Sequence, residues 1–411
     1  MATITENRLQ RFAESRGPDL RVVTGGNCAP PWELLELIDG ALPAYRLFML
    51  NAPHGIPDRP GVTLETPFVG PGMRRKPNLR YLPARLSQVP TLLRTTAPPD
   101  IVCVRTSAPH AGRVSLGVEV NILPAAVEAA RHRGGLVLAE TDPSMPYTYG
   151  DGELEVSSFD GILEGSGARR LGHGTSAVAS DPVALAIGNR IAERIGDGAT
   201  LQLGIGLVPD AVLAGLTSRR RLGIWSEMVS DGILGLDEAG ALDESRLVTA
   251  SFAIGTDKLL AWLDRNPRVR MVRTEVTNDP SRIAANPAMT SINTALQVDL
   301  FGQANASRIN GRIHSGFGGQ TDFVVGALHS RGGQALMALK SWHPKADVST
   351  IIPLLDEPVT SFQHTAVVTE QGVAEIFGHD ERSQALHLIE EAAHPRVRDE
   401  LHEEARALGL V

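Results

Sequence analysis

Cysteine is scarce in this chain: Cys28 and Cys103 are the two among 411 residues, far apart and with no second pair at metal-ligand spacing. A zinc site built from cysteines is therefore excluded, and the pattern argues against a disulfide framework. Long apolar runs are missing too. No window approaches the ~20 apolar residues that a membrane helix needs, and Met1 to Gly17 carries Glu6, Arg8, Arg11, Glu14 and Arg16 with no apolar core for a signal peptide. The expectation is a cytoplasmic protein with no membrane partner. Nor is there an excess of positive charge: the formal net charge is −8 and the isoelectric point about 5.9, so nucleic acid is not an expected partner, although a local basic patch can still receive a phosphorylated ligand.

Several chemical signatures are absent as well. Gly204-Ile205-Gly206 begins like a dinucleotide fingerprint, but Pro209 stands where the third glycine belongs. There is no Walker A sequence and no Gly-x-Ser-x-Gly nucleophile elbow. The twelve histidines are scattered, with no His-Glu-x-x-His and no helical pair at metal spacing, so no metal site is expected.

What is present reads as an α/β protein. At 411 residues the chain exceeds what one hydrophobic core normally serves, and 42% hydrophobic with 21% charged residues is ordinary for a globular protein, so two domains are expected. Leu20 to Val23 reads as a strand closed by Thr24-Gly25-Gly26-Asn27, and Pro30 to Leu42 as a helix. Tyr45 to Leu50, Ile101 to Val104 and Gly134 to Glu140 look like buried strands, with a helix over Val120 to Arg131. Asp58 to Thr95, rich in Pro and Arg, has no clear assignment. The Gly-rich and basic stretch from Gly165 to Gly174 marks a linker, which places a boundary near 177–179 and divides the chain into 1–178 and 179–411. In the second part Asp181 is an N-cap with Pro182 at the first helical position. Leu201 to Leu203, Gly223 to Trp225, Leu247 to Phe252, Val269 to Val272 and Asp322 to Val325 are its strand candidates, and Ala385 to Leu408 reads as two packing helices broken at Pro395. Strands alternating with helices imply largely parallel sheets.

Three stretches carry chemistry. Leu222-Gly223-Ile224-Trp225-Ser226-Glu227 is a short apolar run ending at a carboxylate, followed by Asp231-Gly232 turn chemistry, which holds Glu227 at a sheet edge where ligands of open α/β sheets sit. Upstream, the strand through Gln202 and Leu203 runs into Gly204-Ile205-Gly206. Downstream lies the loop Ser315-Gly316-Phe317-Gly318-Gly319-Gln320-Thr321-Asp322-Phe323. Glycines there allow backbone N–H groups to approach a ligand and to hold an oxyanion or phosphate without side chains.

In this order and spacing, Leu201 to Gly206, Ser226-Glu227-Met228 with Ser230-Asp231-Gly232, Ser291-Ile292-Asn293 leading to Val298-Asp299-Leu300, Gly316 to Phe323 and Val367-Val368-Thr369-Glu370 make a chain that resembles the acetyl-CoA hydrolase/transferase family of glutamate-dependent CoA-transferases. The resemblance spans nearly the whole length and implies two similar open α/β domains of the CoA-transferase type and a homodimer. It implies coenzyme A and acyl-CoA as substrates, small carboxylic acids as the other partner, and no permanently bound cofactor. By this resemblance Glu227 is the nucleophile, Asn293 and the Gly319 amide are donors to the bound intermediate, and Glu370 lies close to the nucleophile. Gln202, Leu203, Gly204, Ile205 and Gly206 would contact CoA, together with Gly318, Gly319 and Arg331. Relatives usually carry Lys where Ser330-Arg331-Gly332-Gly333 has Arg331, and commonly His two residues before the nucleophile, where this chain has Trp225. The indole either narrows the acyl pocket or points into the core. By the resemblance Met145-Pro146-Tyr147-Thr148-Tyr149-Gly150 is a family segment lining the domain interface; read from its residues alone it is an ordinary Pro-Gly loop.

Three functions fit these residues. CoA transfer to a small carboxylic acid leads. Acyl-CoA hydrolysis with the same nucleophile shares every residue named, and a catalytically silent CoA-binding protein would lack turnover with any acid.

Overall fold

The computed structural model describes residues 4–169, 171, 181–204, 206–361 and 363–411. Most of the expected linker, the boundary near 177–179 and Ile205 lie outside the described residues. The chain divides into two compact units, Met1–Thr175 with Leu247–Thr277, and Ser176–Arg246 with Asn278–Val411. The segment Leu247–Thr277 therefore belongs to the first unit, where the simple division of the sequence had put it in the second. Its hydrogen bonds explain why: Val120 N–H and Asn121 N–H both donate to the Ser251 carbonyl at 3.0 Å, and Asp151 N–H donates to the Met271 carbonyl at 3.0 Å.

The first unit is built on a seven-stranded, all-parallel sheet in the order Leu79–Tyr81, Val62–Thr66, Tyr45–Met49, Arg21–Thr24, Ile101–Thr106, Leu136–Thr141, Gly161–Glu164. The chain starts in the middle, winds out to one side and returns to wind out on the other. All six residues of Ile101–Thr106 are buried, as a strand covered on both faces requires. The unassigned stretch from 58 to 95 supplies the two strands of one flank and the helix Val89–Arg94.

The second unit carries a six-stranded sheet in the order Gly223–Ile224, Thr200–Gln202, Met289–Thr294, Gln334–Ala338, Ala366–Val368, Val373–Glu375. Its first five strands are parallel and the last is antiparallel. Two expectations are corrected here. The apolar run expected as a strand at 322–325 is the middle of the helix Gln320–His329, since Gly319 serves as its N-cap and Phe323, Val324 and Ala327 bury one face. The strands Met289–Thr294, Gln334–Ala338 and Ala366–Val368 have no counterpart in the strands read from sequence. The first of them, Met-Thr-Ser-Ile-Asn-Thr, mixes polar residues into a buried strand and shows neither alternation nor an apolar run.

The helix Pro182–Glu193 begins as its sequence indicates: Asp181 accepts from the N–H groups of Val183 at 3.0 Å and Ala184 at 3.2 Å, with Pro182 at the first turn. It packs tightly on the helix Leu207–Gly215, because a Cβ at Gly188 would lie 2.6 Å from the Ala211 Cβ. No helix among the described residues is long and apolar enough to cross a membrane. Gly188→Val is expected to force these helices apart and to destabilise the protein by about 1–3 kcal/mol, the usual cost of overpacking. Denaturant unfolding measures this, and an unchanged midpoint would show that the contact yields freely.

Candidate active site

In the second sheet the five parallel strands end at one edge, and the loops that follow those ends carry several of the expected site residues. Glu227 stands three residues beyond Gly223–Ile224, Leu203 to Gly206 follow Thr200–Gln202, Asn293 lies at the end of Met289–Thr294, and Glu370 follows Ala366–Val368. The carboxyl edge of an open α/β sheet is where side chains and helix N-termini converge on a ligand.

Ser226 fixes the approach to Glu227. Fully buried, its hydroxyl accepts from Leu203 N–H at 3.0 Å and Met228 N–H at 3.3 Å and donates to the Leu203 carbonyl at 3.2 Å, so both loops are locked together. The chain of bonds continues across the sheet. Gln202 Nε2 donates to the same Leu203 carbonyl at 3.3 Å, while its Oε1 accepts from Ser291 Oγ at 2.9 Å and Ile292 N–H at 3.0 Å. Asn293 Nδ2 in turn donates to Ser291 Oγ at 2.8 Å. Gln202 thus ties two strand ends to each other within the protein, and Asn293 stands at the far end of a network that begins beside Glu227.

Glu227 itself is seated against bare backbone. A Cβ placed on Gly319 would lie 1.7 Å from Glu227 Oε2 and 2.3 Å from Asn278 Nδ2, so no side chain is sterically possible at Gly319 with the carboxylate in this place. Gly318 before it adopts a left-handed φ of 55°, and Gly319 caps the ten-residue helix Gln320–His329, whose first N–H groups carry partial positive charge. Asn278 Nδ2 donates to Glu227 Oε2 at 3.1 Å. Burial pushes the Glu227 carboxyl up to about 7; the Asn278 hydrogen bond works against that rise, and the negative charge of buried Asp322 adds to it.

Gly204 and Gly206 differ in their surroundings. Gly206 adopts φ 112° and caps the helix Leu207–Gly215, with open space where its Cβ would stand, whereas a Cβ on Gly204 would lie 3.1 Å from Pro209 Cγ. Leu203 is buried. Beside the downstream glycine loop a small cavity of about 20 Å³ is lined by Ala304, Ser307, Gly316, Phe317, Thr321 and Thr360 among others, all uncharged.

Trp225 takes one of the two placements left open for it, and Glu370 and Arg331 depart from the expected picture. Trp225 packs against the cluster of Ile283, Met289, Phe323 and Val324, so its indole faces the core. Glu370 is held by Ser341, whose N–H donates to Oε2 at 2.9 Å and whose hydroxyl donates to the other oxygen. Three strands stand between the strand preceding Glu370 and the one leading to Glu227, and the bonds of Glu370 do not include the nucleophile candidate. Arg331 is exposed in the turn between the helix Gln320–His329 and the strand Gln334–Ala338, and its carbonyl accepts from Ala288 N–H, one residue before Met289–Thr294 begins. That is the amino edge of the sheet, opposite the loops that hold Glu227.

Asn278, Asp322, Ser226 and Ser291 were not among the residues expected from sequence to act. Asn278 had a faint signal: it precedes Asp279-Pro280, an N-cap and first-turn proline that start the helix Pro280–Ala284. No group of three His, Cys, Asp or Glu side chains among the described residues is placed to hold a metal ion.

Comparison with known proteins agrees with this architecture. Residues 255–405 match the family model of the acetyl-CoA hydrolase/transferase C-terminal domain. A 4-hydroxybutyrate coenzyme A transferase of Clostridium kluyveri is 40% identical over 342 residues, covering 79% of this chain and 76% of that protein. The structure of RipA from Yersinia pestis superposes with a TM-score of 0.90 at 28% identity, covering 99% of this chain and 100% of the other. A 4-hydroxybutyrate CoA-transferase from Porphyromonas gingivalis gives 0.81 at 29% identity, covering 99% and 97%. The resemblance carried by the motifs is borne out: this chain belongs to the acetyl-CoA hydrolase/transferase family, with the CoA-transferase fold.

Proposed function

We propose that the protein moves CoA from an acyl-CoA to a small carboxylic acid, with Glu227 as the covalent nucleophile. The observation that carries this reading is a half-buried carboxylate seated at the sheet edge against Gly319 and the start of a helix, in surroundings that push its pKa up to about 7. A carboxylate in bulk water is a poor nucleophile. Stripped of solvent it can attack a thioester, because the departing thiolate is a far better leaving group than an alkoxide.

In this mechanism a Glu227 oxygen attacks the thioester carbonyl, the carbon–sulfur bond breaks, and CoA leaves as thiolate from an acyl-glutamyl anhydride. The thiolate then attacks the Glu227 carbonyl carbon, which releases the first acid as its carboxylate and leaves a glutamyl-CoA thioester. The acceptor carboxylate enters and the two steps run in reverse, with no net gain or loss of protons. Each step passes through a tetrahedral oxyanion. One well-placed donor is worth about 3–4 kcal/mol to such a species, and the Gly319 amide and the Asn293 side chain are the donors we assign. Leu203, Gly204, Gly206 and Gly318 form the surface along which the CoA thioester end lies.

The reading is tested by mixing acetyl-, butyryl- or succinyl-CoA with a panel of carboxylic acids and following product masses. Appearance of a new acyl-CoA only when an acceptor acid is added supports transfer. Release of free CoA without an acceptor shows a hydrolase, and no turnover with any donor and acid shows a silent CoA-binding protein.

Glu227 has a pH signature in both activity and stability. Since the ionised form attacks, kcat/KM is expected to rise through pH about 7 and level off above it. The folded chain holds this proton more tightly than the unfolded chain, whose Glu titrates near 4.5, so stability is lost as pH rises from about 4.5 through about 7. Glu227→Gln should cost at least about 10³-fold in turnover. It should melt with wild type near pH 4 but roughly 2–4 °C higher at pH 8, where the wild-type charge is buried. A variant melting no higher than wild type at pH 8 would contradict this placement of the carboxyl.

A further inference from the structure

Two buried groups act on Glu227 beside the backbone of the glycine loops, one through a hydrogen bond and one through its charge. Asn278, fully buried, reaches Oε2 with its side-chain amide at 3.1 Å, and its backbone is fixed by the helix start that Asp279 and Pro280 make immediately after it. Asp322 is 1% exposed in the first turn of the helix Gln320–His329. Because Gly319 has no side chain, Glu227 comes up against this same first turn. The two groups are opposed in sign. An amide donor favours the carboxylate, while a second carboxylate in a site with little water disfavours it.

We propose that Asn278 and Asp322 are an opposed pair of positioning residues: Asn278 engages Oε2 and so leaves Oε1 as the attacking oxygen, while Asp322 offsets the pull of the helix N-terminus and keeps the carboxylate reactive. This rests on the reading of Glu227 as nucleophile. A helix N-terminus and an amide together stabilise the carboxylate and blunt its attack on a thioester. Burial is the larger effect that opposes them, and the charge of Asp322 adds to it. Among the other acidic groups on the packed elements, Asp279 is turned to its own helix, accepting from Ser281 N–H at 2.8 Å and Ser281 Oγ at 2.6 Å, and Asp231 raises Asp210. Among the described residues Asp322 is the one whose charge acts on Glu227.

The two roles separate in the acid limb of the pH profile of kcat/KM, which reports the free enzyme. Removing the donor with Asn278→Ala should move the limb upward by roughly one to two pH units, the span expected for a hydrogen bond to a charged group. Its plateau kcat should fall about tenfold or more, with KM for the acyl-CoA little changed, since orientation is lost and binding is not. Asp322→Asn, which keeps the shape and removes the charge, should move the limb downward. The double variant should return it toward the wild-type position. Should the alanine variant fail to fold, Asn278→Ser, whose hydroxyl falls short of Oε2, carries the same arm with the same upward direction. Limbs that stay in place, or that move in the same direction in both single variants, overturn the proposal. Retention of turnover by Glu227→Gln would instead overturn the nucleophile assignment on which it rests.

Discussion

The interaction on which the site depends is the seating of one carboxylate against peptide backbone. Glu227 Oε2 occupies the volume that any side chain at Gly319 would need, and that single steric fact links the strand end, the glycine loop and the helix Gln320–His329. Ser226 locks the Glu227 segment to Leu203, Trp225 anchors it in the core through Ile283 and Phe323, and Asn278 closes on it from the start of another helix. Trp225 packs against the cluster that includes Ile283 and Phe323 of the helices Pro280–Ala284 and Gln320–His329, while Glu227 meets Asn278 and Gly319, which stand just before those helices begin. Here the bulky residue two positions before Glu227 is a core anchor.

The same edge explains how a polar network can lie inside a parallel sheet at little cost. Gln202 is buried, yet its amide oxygen accepts twice and its nitrogen donates once. A buried amide in this condition stabilises the joint of two strands, whereas an unsatisfied one would cost about 1–3 kcal/mol. The network links Asn293 and Leu203 to the segment that carries Glu227. Glu370 and Arg331 stand apart. The first is bound to Ser341 three strands away, and the second is exposed at the amino edge. Their presence in the sequence pattern therefore says more about the family than about contact with the nucleophile.

Much of the fold and part of the site were legible in the sequence, for physical reasons that differ by residue. Buried parallel strands such as Ile101–Thr106 are continuous apolar runs and announce themselves. Met289–Thr294 does not, because its Ser and Thr residues pair with neighbouring groups that no local pattern reveals. Phe323-Val324-Val325 is apolar in a way that a strand and a buried helix share, and only its position after the Gly319 cap decides between them. Glu227 and the glycine loops were visible because turn chemistry and a strand end coincide there. Asn278 and Asp322 were not, since each meets Glu227 only after distant segments fold together. The membership of 247–277 in the first unit likewise depends on long-range bonds to Val120, Asn121 and Asp151, which composition cannot register.

The central claim is that Glu227 becomes covalently bonded to CoA during turnover. It is tested most directly by mixing the enzyme with an acyl-CoA in the absence of an acceptor acid, adding borohydride, and mapping the peptide masses. A thioester is reducible and a free carboxylate is not, so the expected result is loss of activity together with a mass change confined to the fragment from Trp225 to Asp231, with Glu227 converted to the alcohol. Reduction at Glu370, or full activity with no change in that fragment, would contradict the account.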